Sequence, residues 1–309
     1  MFRNVLVPLD GSAAAEYALP WAVAAAAPSG AVHLVHVHVP PAPLVVEGVV
    51  VADPNLDRSI REQEGDYMAR VAERVRTAAP RLSVVARNLD TDDPPADALA
   101  KAAADAAADL VAMTTHGRGP FARFWLGSVS DELLRQSPAP ALVLRPRTPD
   151  VPPDLSAKPA LKHLVVPLDG SDLAMRIVEP AVRFAAPFGA DLLLVLVLDS
   201  LTDPAAVARI RQPDLPESAN PTTPAQRAEM YLERVAKSIA KKDGVAWTKL
   251  VREGSPAEVV LGLAGNDPAT GIALATHGRS GITRLLRGSV AEEVVRKAPG
   301  PVLVYHPAA

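Results

Sequence analysis

Short, almost wholly apolar runs alternate along the chain with longer segments in which apolar residues return every three or four positions. The first run, "NVLVPL" (Asn4 to Leu9), stops at the turn signal "DGS", and the Ala-rich stretch Ala13 to Ala27 follows Ser12. That order predicts a strand, a turn and a helix capped by Ser12. "AVHLVHVHV" predicts a second strand, "LDRSIREQEGDYMARVAERVRTAA" a charged amphipathic helix and "RLSVVARNL" a third strand. "PADALAKAAADAAA" predicts a helix, "DLVAMTT" a fourth strand, "SVSDELLRQS" a helix and "PALVLRP" a fifth strand. Strands with no polar face, separated by helices, predict a parallel sheet covered on both sides and wound with right-handed crossovers.

The pattern then starts again. "HLVVPLDGS" (His163 to Ser171) repeats "NVLVPLDGS" (Asn4 to Ser12), "THGR" and "GSV" recur from His116 to His277, and "PVLVYHP" answers "PALVLRP". The copies keep step to within two residues over a hundred, which is the mark of a duplicated domain. Between them lies "RPRTPDVPPDLSAKPALK", whose prolines deny donors to any ladder and favour an extended tether. The expected plan is one domain over 1–147, a Pro-rich linker over 148–160 and a second domain over 161–309. Each is expected to be a doubly wound α/β unit with five parallel strands in the order 3-2-1-4-5. The segments Pro40 to Asn55 and Asp199 to Pro224 are long, Pro-rich and irregular, and read either as functional lids or as disordered connections.

Composition narrows the function classes. The 309 residues are 49% hydrophobic with only 4% aromatic, so the cores are packed through Ala, Val and Leu. A formal charge of −3 offers no field to draw in a nucleic-acid backbone. No run of 18 apolar residues appears and the N-terminal apolar stretch is too short for a signal peptide, so the chain is expected to be cytoplasmic with no membrane partner. The absence of cysteine removes disulfides, thiolate nucleophiles and thiolate metal sites.

In an open parallel sheet, ligands bind beyond the carboxyl ends of the strands where the strand order reverses. Both repeated turn signals fall there. In the order 3-2-1-4-5, strands 1 and 4 are neighbours, so "PLDGS" and "TTHGRG…LGS" meet at one crevice. Gly117 permits a close main-chain approach, and Gly127 with Ser128 stands just before a helix, where unpaired N–H groups and the helix dipole favour an anion. Arg118, Arg123, Arg279, Arg284 and Arg287 lie in the same loops. Read singly, a Gly-Ser before a helix is a turn and an N-cap; its duplication at fixed spacing favours a phosphate cradle.

These residues resemble the universal stress protein family, whose nucleotide-binding members carry glycine, two residues, glycine, nine residues, glycine, then serine or threonine. Gly117 with Gly127-Ser128 matches, and so does Gly278 with Gly288-Ser289; Thr114 and Ala275 stand where the first glycine would be. The resemblance spans nearly the whole chain as a tandem pair and implies the adenine nucleotide alpha hydrolase-like fold. It also implies that Asp10 and Asp169 contact a nucleotide, that the main chain at Val37 and Val197 lies against adenine, and that Val129 and Val290 add phosphate contacts through their amides. By the same resemblance the fifth strands pair antiparallel, giving an intramolecular domain pair and leaving a homo-oligomer open. From the residues alone, each "DGS" aspartate is an Asx turn.

Other candidates carry less. His116 and His277 sit beside glycines with no partner for nucleophilic catalysis in sequence reach, so a turn or phosphate-side donor fits better than a general base. His36 and His38 share one strand face, but Leu196 and Leu198 occupy the matching run of the second copy, so a core or dimer-surface role outweighs a metal site. Asp92 and Asp93 read as a solvated acidic turn before they read as Mg²⁺ ligands. No G-x-x-x-x-G-K-[ST] loop exists to serve phosphoryl chemistry. The expected function is regulatory binding of ATP or a related adenine nucleotide, with or without Mg²⁺, in a stress response. A stress-response interaction module without nucleotide is the alternative, and a slow ATPase with no assigned catalytic residue ranks last.

Overall fold

The structure, a computed structural model, describes residues 1–42, 44–46, 49–51, 53–115, 128–146, 148, 150–198, 223–239, 244–276 and 290–306. The first copy contains β1 (Phe2–Leu9), α1 (Ala13–Glu16), α2 (Leu19–Ala25), β2 (Ala26–Val37), a short antiparallel pair β3 (Leu44–Val46) and β4 (Val49–Val51), and α3 (Pro54–Ala78). It continues with β5 (Ser83–Leu89), α4 (Pro95–Asp105), β6 (Leu110–Thr114), α5 (Ser128–Gln136) and β7 (Ala141–Leu144). The second copy contains β8 (His163–Leu168), α6 (Asp172–Met175), α7 (Val178–Ala185), β9 (Asp191–Leu198) and α8 (Pro224–Ile239). It ends with β10 (Trp247–Glu253), α9 (Pro256–Ala264), β11 (Thr270–Ala275), α10 (Val290–Lys297) and β12 (Val302–Tyr305).

The contacts divide the chain into two compact units, one of residues 2–138 with 146–158, the other of 159–309 with 139–145 and Met1. In the unit of the first copy the parallel strands run β5-β2-β1-β6. In the other unit β10-β9-β8-β11-β12 gives the full 3-2-1-4-5 order, all parallel. The fifth strand of the first copy, β7, belongs to this second unit, where it lies antiparallel to β12 with Leu142 opposite Leu303. The fold is thus α/β, built from tandem doubly wound sheets.

Central strands are buried on both faces. Val5, Leu6 and Val7 of β1 are all fully buried, each worth about 1.5–3 kcal/mol on transfer from water, and this explains why β1 lacks alternation. On α3 the buried residues Met68, Val71, Ala72 and Val75 return at helical spacing, and Tyr231, Leu232, Val235 and Ala236 do the same on α8.

Three local expectations need correction. The helix expected over Ala13 to Ala27 is broken into α1 and α2, because Pro20 has no N–H to give the Glu16 carbonyl; the second copy is broken likewise between α6 and α7, with Pro180 in the first turn of α7. Strand β2 begins at Ala26, five residues before the expected start, with a register irregularity against β1 between Phe2 and Asn4. The segment Pro40 to Asn55 is not wholly irregular, since it holds β3, β4 and the start of α3, where Asp53 caps the helix by accepting from Asn55 N and Leu56 N. The companion segment at 199–222 lies outside the described residues.

Candidate functional site

The two "DGS" turns are built alike. Asp10 Oδ1 accepts from Ser12 N at 2.9 Å and from Ser12 Oγ at 2.5 Å, while Ser12 Oγ accepts from Ala15 N at 3.1 Å and so caps α1. In the second copy Asp169 Oδ1 accepts from Ser171 N and Oγ at 2.9 and 2.6 Å, and Ser171 Oγ caps α6 through Ala174 N. Gly11 and Gly170 adopt φ of +82° and +84°, a left-handed conformation that costs other residues more than glycine. Each aspartate therefore spends one oxygen on an Asx turn and remains exposed at the strand's carboxyl end.

Around Asp10 opens a crevice of about 470 Å³, within the range of small-molecule sites. Asp10, Val37, Thr114, Ser128 and Val129 all line it. They come from the ends of β1, β2 and β6 and from the first turn of α5, the elements that flank the reversal of strand order. The wall also includes His36, Glu64, Pro95, Leu99 and Ser130. Asp169, Val197, Ala275 and Val290 take the matching places in the second copy, at the ends of β8, β9 and β11 and the start of α10. Val129 and Val290, first-turn residues with hydrophobic side chains, are 36% and 37% exposed. Gly117, Gly127, Gly278, Gly288, Ser289, His116, His277 and the five loop arginines lie outside the described residues.

Thr114 ends β6 as a buried strand residue, and its main-chain carbonyl accepts from Ser130 Oγ at 3.1 Å. Among the described non-glycine residues only Ala107 has positive φ, so neither Thr114 nor Ala275 is strained by standing where the family motif has glycine. Asp92 and Asp93 are exposed in a turn where Asp93 N donates to Thr91 Oγ1. Among the described residues no three His, Asp or Glu side chains are grouped to hold a metal ion.

Sequence reasoning missed the polar cluster beside the crevice. His36 Nδ1 donates to the Leu9 carbonyl at 2.8 Å, and its Nε2 lies 3.2 Å from Glu64 Oε1, an ion-pair distance without hydrogen-bond alignment. His38 is 3% exposed and sits between Glu64 Oε2 at 2.8 Å from Nδ1 and Asp57 Oδ1 at 2.9 Å from Nε2. Arg61 extends the chain of charges, bonding Asp57 at 2.7 Å and Asp90 at 2.6 Å; hydrogen bonds from Arg61 and then His38 hold the Asp57 carboxyl below its ordinary pKa. The alternation "HVH" signalled a shared face, but only the packing of α3 shows that the face meets carboxylates.

Two tyrosines, the half-buried Tyr67 and the buried Tyr231, stand nearby. Burial, then the Glu16 and Asp10 charges, pushes the Tyr67 hydroxyl well above its usual pKa. Burial and then Asp169 do the same to Tyr231 on α8. Both hydroxyls stay protonated near the strand-1 aspartate of their own copy.

The sequence model of the universal stress protein family matches residues 1–145 and again 160–306. The chain belongs to the universal stress protein family. A universal stress protein of Methanocaldococcus jannaschii is 31% identical over 143 residues, 46% of this chain and 81% of that protein. One from Mycolicibacterium smegmatis is 25% identical over 312 residues and covers 98% of this chain and 97% of its own length. The crystal structure of a universal stress protein from Archaeoglobus fulgidus overlies 99% of this chain and 98% of its own with a TM-score of 0.69 at 19% identity, a likeness of fold. The chain is a tandem universal stress protein, and among its described residues no helix is long and apolar enough to cross a membrane.

Proposed function

We propose that this universal stress protein binds ATP or a related adenine nucleotide as a regulatory ligand, in the cytoplasm. One observation carries the reading: every described first-copy residue that the family motif marks, Asp10, Val37, Thr114, Ser128 and Val129, lines a single crevice of about 470 Å³. The residues suit the group. The exposed first turn of α5 offers amides and the positive end of the helix dipole to phosphate. The β2 end offers main chain at Val37 to a base, and Asp10 keeps a second carboxylate oxygen for a hydroxyl donor.

Gly117, Gly127, Gly278, Gly288 and Ser289 complete the two phosphate loops in this proposal, with Val197, Asp169, Ala275 and Val290 forming the second site. Mg²⁺ would enter with the nucleotide phosphates, since among the described residues no three carboxylate or histidine side chains are grouped to hold it. Hydrolysis is slow at most, because among the described residues no lysine lines the crevice. The β7 and β12 strands serve as the contact that pairs the two domains, and further self-association would build on the same chain. Mass spectrometry of protein purified under native conditions tests the reading: bound adenine nucleotide is expected, and protein that never retains one supports the interaction module without nucleotide.

A further inference from the structure

The second copy of the chain provides an internal comparison for the polar cluster. The registers of β1 on β2 and β8 on β9 place Leu9 opposite His36 and Leu168 opposite Leu196, so Leu196 and Leu198 replace His36 and His38. Aligning Tyr67, Met68, Val71 and Ala72 with Tyr231, Leu232, Val235 and Ala236 puts Ala228 where α3 has Glu64. All three polar residues are exchanged together for apolar ones. A cluster needed only to hold α3 on the sheet would not be dispensable in the same fold.

The crevice also separates charge. Glu64 lies on the β2 side, the first turn of α5 on the β6 side, with β1 between them; two strand spacings separate these sides by about 10 Å. Phosphates are drawn to the helix terminus and repelled by the carboxylate, so the uncharged end of a nucleotide meets Glu64, which can only accept hydrogen bonds while ionised. Glu64 in turn is held by His38. His38 faces a carboxylate oxygen with each ring nitrogen, Glu64 Oε2 at 2.8 Å and Asp57 Oδ1 at 2.9 Å.

We propose that Glu64 is a ligand-contacting acceptor of the first-copy crevice, taking a hydroxyl or amino donor of the nucleoside. His38, held between Glu64 and Asp57, is the positioning residue that fixes the Glu64 carboxylate at the crevice wall. The inference rests on the nucleotide reading above. The groups around Glu64 are Asp57 and Arg61 from α3, His36 beside His38 on β2, Asp90 beyond β5, and Asp10 across the crevice.

The test is calorimetric titration of the full chain with ATP and Mg²⁺ for wild type, Glu64→Gln and the triple variant H36L/H38L/E64A. The triple variant reproduces a packing that the second copy already folds with. Wild type is expected to bind ATP at the first-copy crevice roughly tenfold more tightly than Glu64→Gln or the triple variant, the scale of one charge-assisted hydrogen bond, and the gap is expected to close for the analogue that lacks the donor. Titration with 2′,3′-dideoxyadenosine triphosphate and with inosine triphosphate distinguishes a sugar hydroxyl from a base amino group as the donor. Equal ATP affinity for wild type, Glu64→Gln and the triple variant overturns the inference and leaves the nucleotide reading standing. No heat with ATP overturns both.

Discussion

Ser130 Oγ donates to the main-chain carbonyl of Thr114 at 3.1 Å, tying the end of β6 to the first turn of α5 on one side of the crevice. Ser130→Ala removes the donor and is expected to lower stability by about 1 kcal/mol, measured by urea denaturation. ATP affinity should fall several-fold in the same variant, because the turn that presents the amides is no longer fixed to the strand. Unchanged affinity with the expected loss of stability would separate the bond from the site.

A second prediction concerns the buried carboxylate of Glu16, which is 5% exposed and paired with Arg74. Arg74 also donates to the Pro153 carbonyl at 3.1 Å, fastening the linker to its own unit. Arg74→Ser leaves the carboxylate unpaired; as Arg74 is over a third exposed, water offsets part of the penalty and the expected loss is about 1–3 kcal/mol. The second copy has Met175 and Ser238 in these positions, so the double variant Glu16→Met with Arg74→Ser is expected to recover much of that loss. A double variant no better than the single one would show that the contact to Pro153 is what matters.

His33 on β2 supplies a pH-dependent case. Both ring nitrogens are buried without a hydrogen-bond partner, and burial first, with Arg87 second, lowers its pKa from the ordinary 6.5. The unfolded chain therefore takes up a proton near pH 6.5 that the folded chain does not, so this residue's contribution to stability is present above that pH and lost as pH falls through and below it. His33→Leu, the residue found as Leu193 in the second copy, is expected to stabilise the fold more at pH 5.5 than at pH 8. Thermal denaturation at both pH values checks it; an equal gain at both would mean His33 is not held neutral.

In the second copy, Gly288→Val is expected to harm ATP binding more than Ala275→Gly does. Glycine just before α10 allows phosphate to approach the amides, whereas Ala275 ends β11 without positive φ and gains little from glycine. Competition titrations on the two variants give the order directly, and equal losses would show that the loop is not the phosphate cradle.

Much of this molecule was legible in the sequence because its signals are local. The runs at Val5 to Val7 and Leu110 to Ala112 lack a polar face because both faces are covered, and the copied turn signals by themselves put Asp10, Thr114 and Ser128 at one end of the sheet. The break at Pro20 was equally local and was overlooked beneath the strong helix propensity of the alanines around it. Glu64 and His38 belong to a different class. Their meeting depends on how α3 is phased after an insertion containing β3 and β4, and a sequence does not state that rotation. Thr114, which stands where the family motif has glycine, is extended strand without positive φ; any effect on binding comes from the threonine side chain rather than from strain.

The central claim is that the crevice bounded by Asp10, Val37, Thr114, Ser128 and Val129 takes an adenine nucleotide. Calorimetric titration of the full chain with ATP and Mg²⁺, beside Asp10→Ala, tests it most directly. Saturable heat is predicted for wild type, with roughly tenfold weaker binding at the first-copy site in the variant, the scale of one hydrogen bond to a charged acceptor. No heat at high micromolar ATP, or titrations that Asp10→Ala leaves unchanged, would contradict the account.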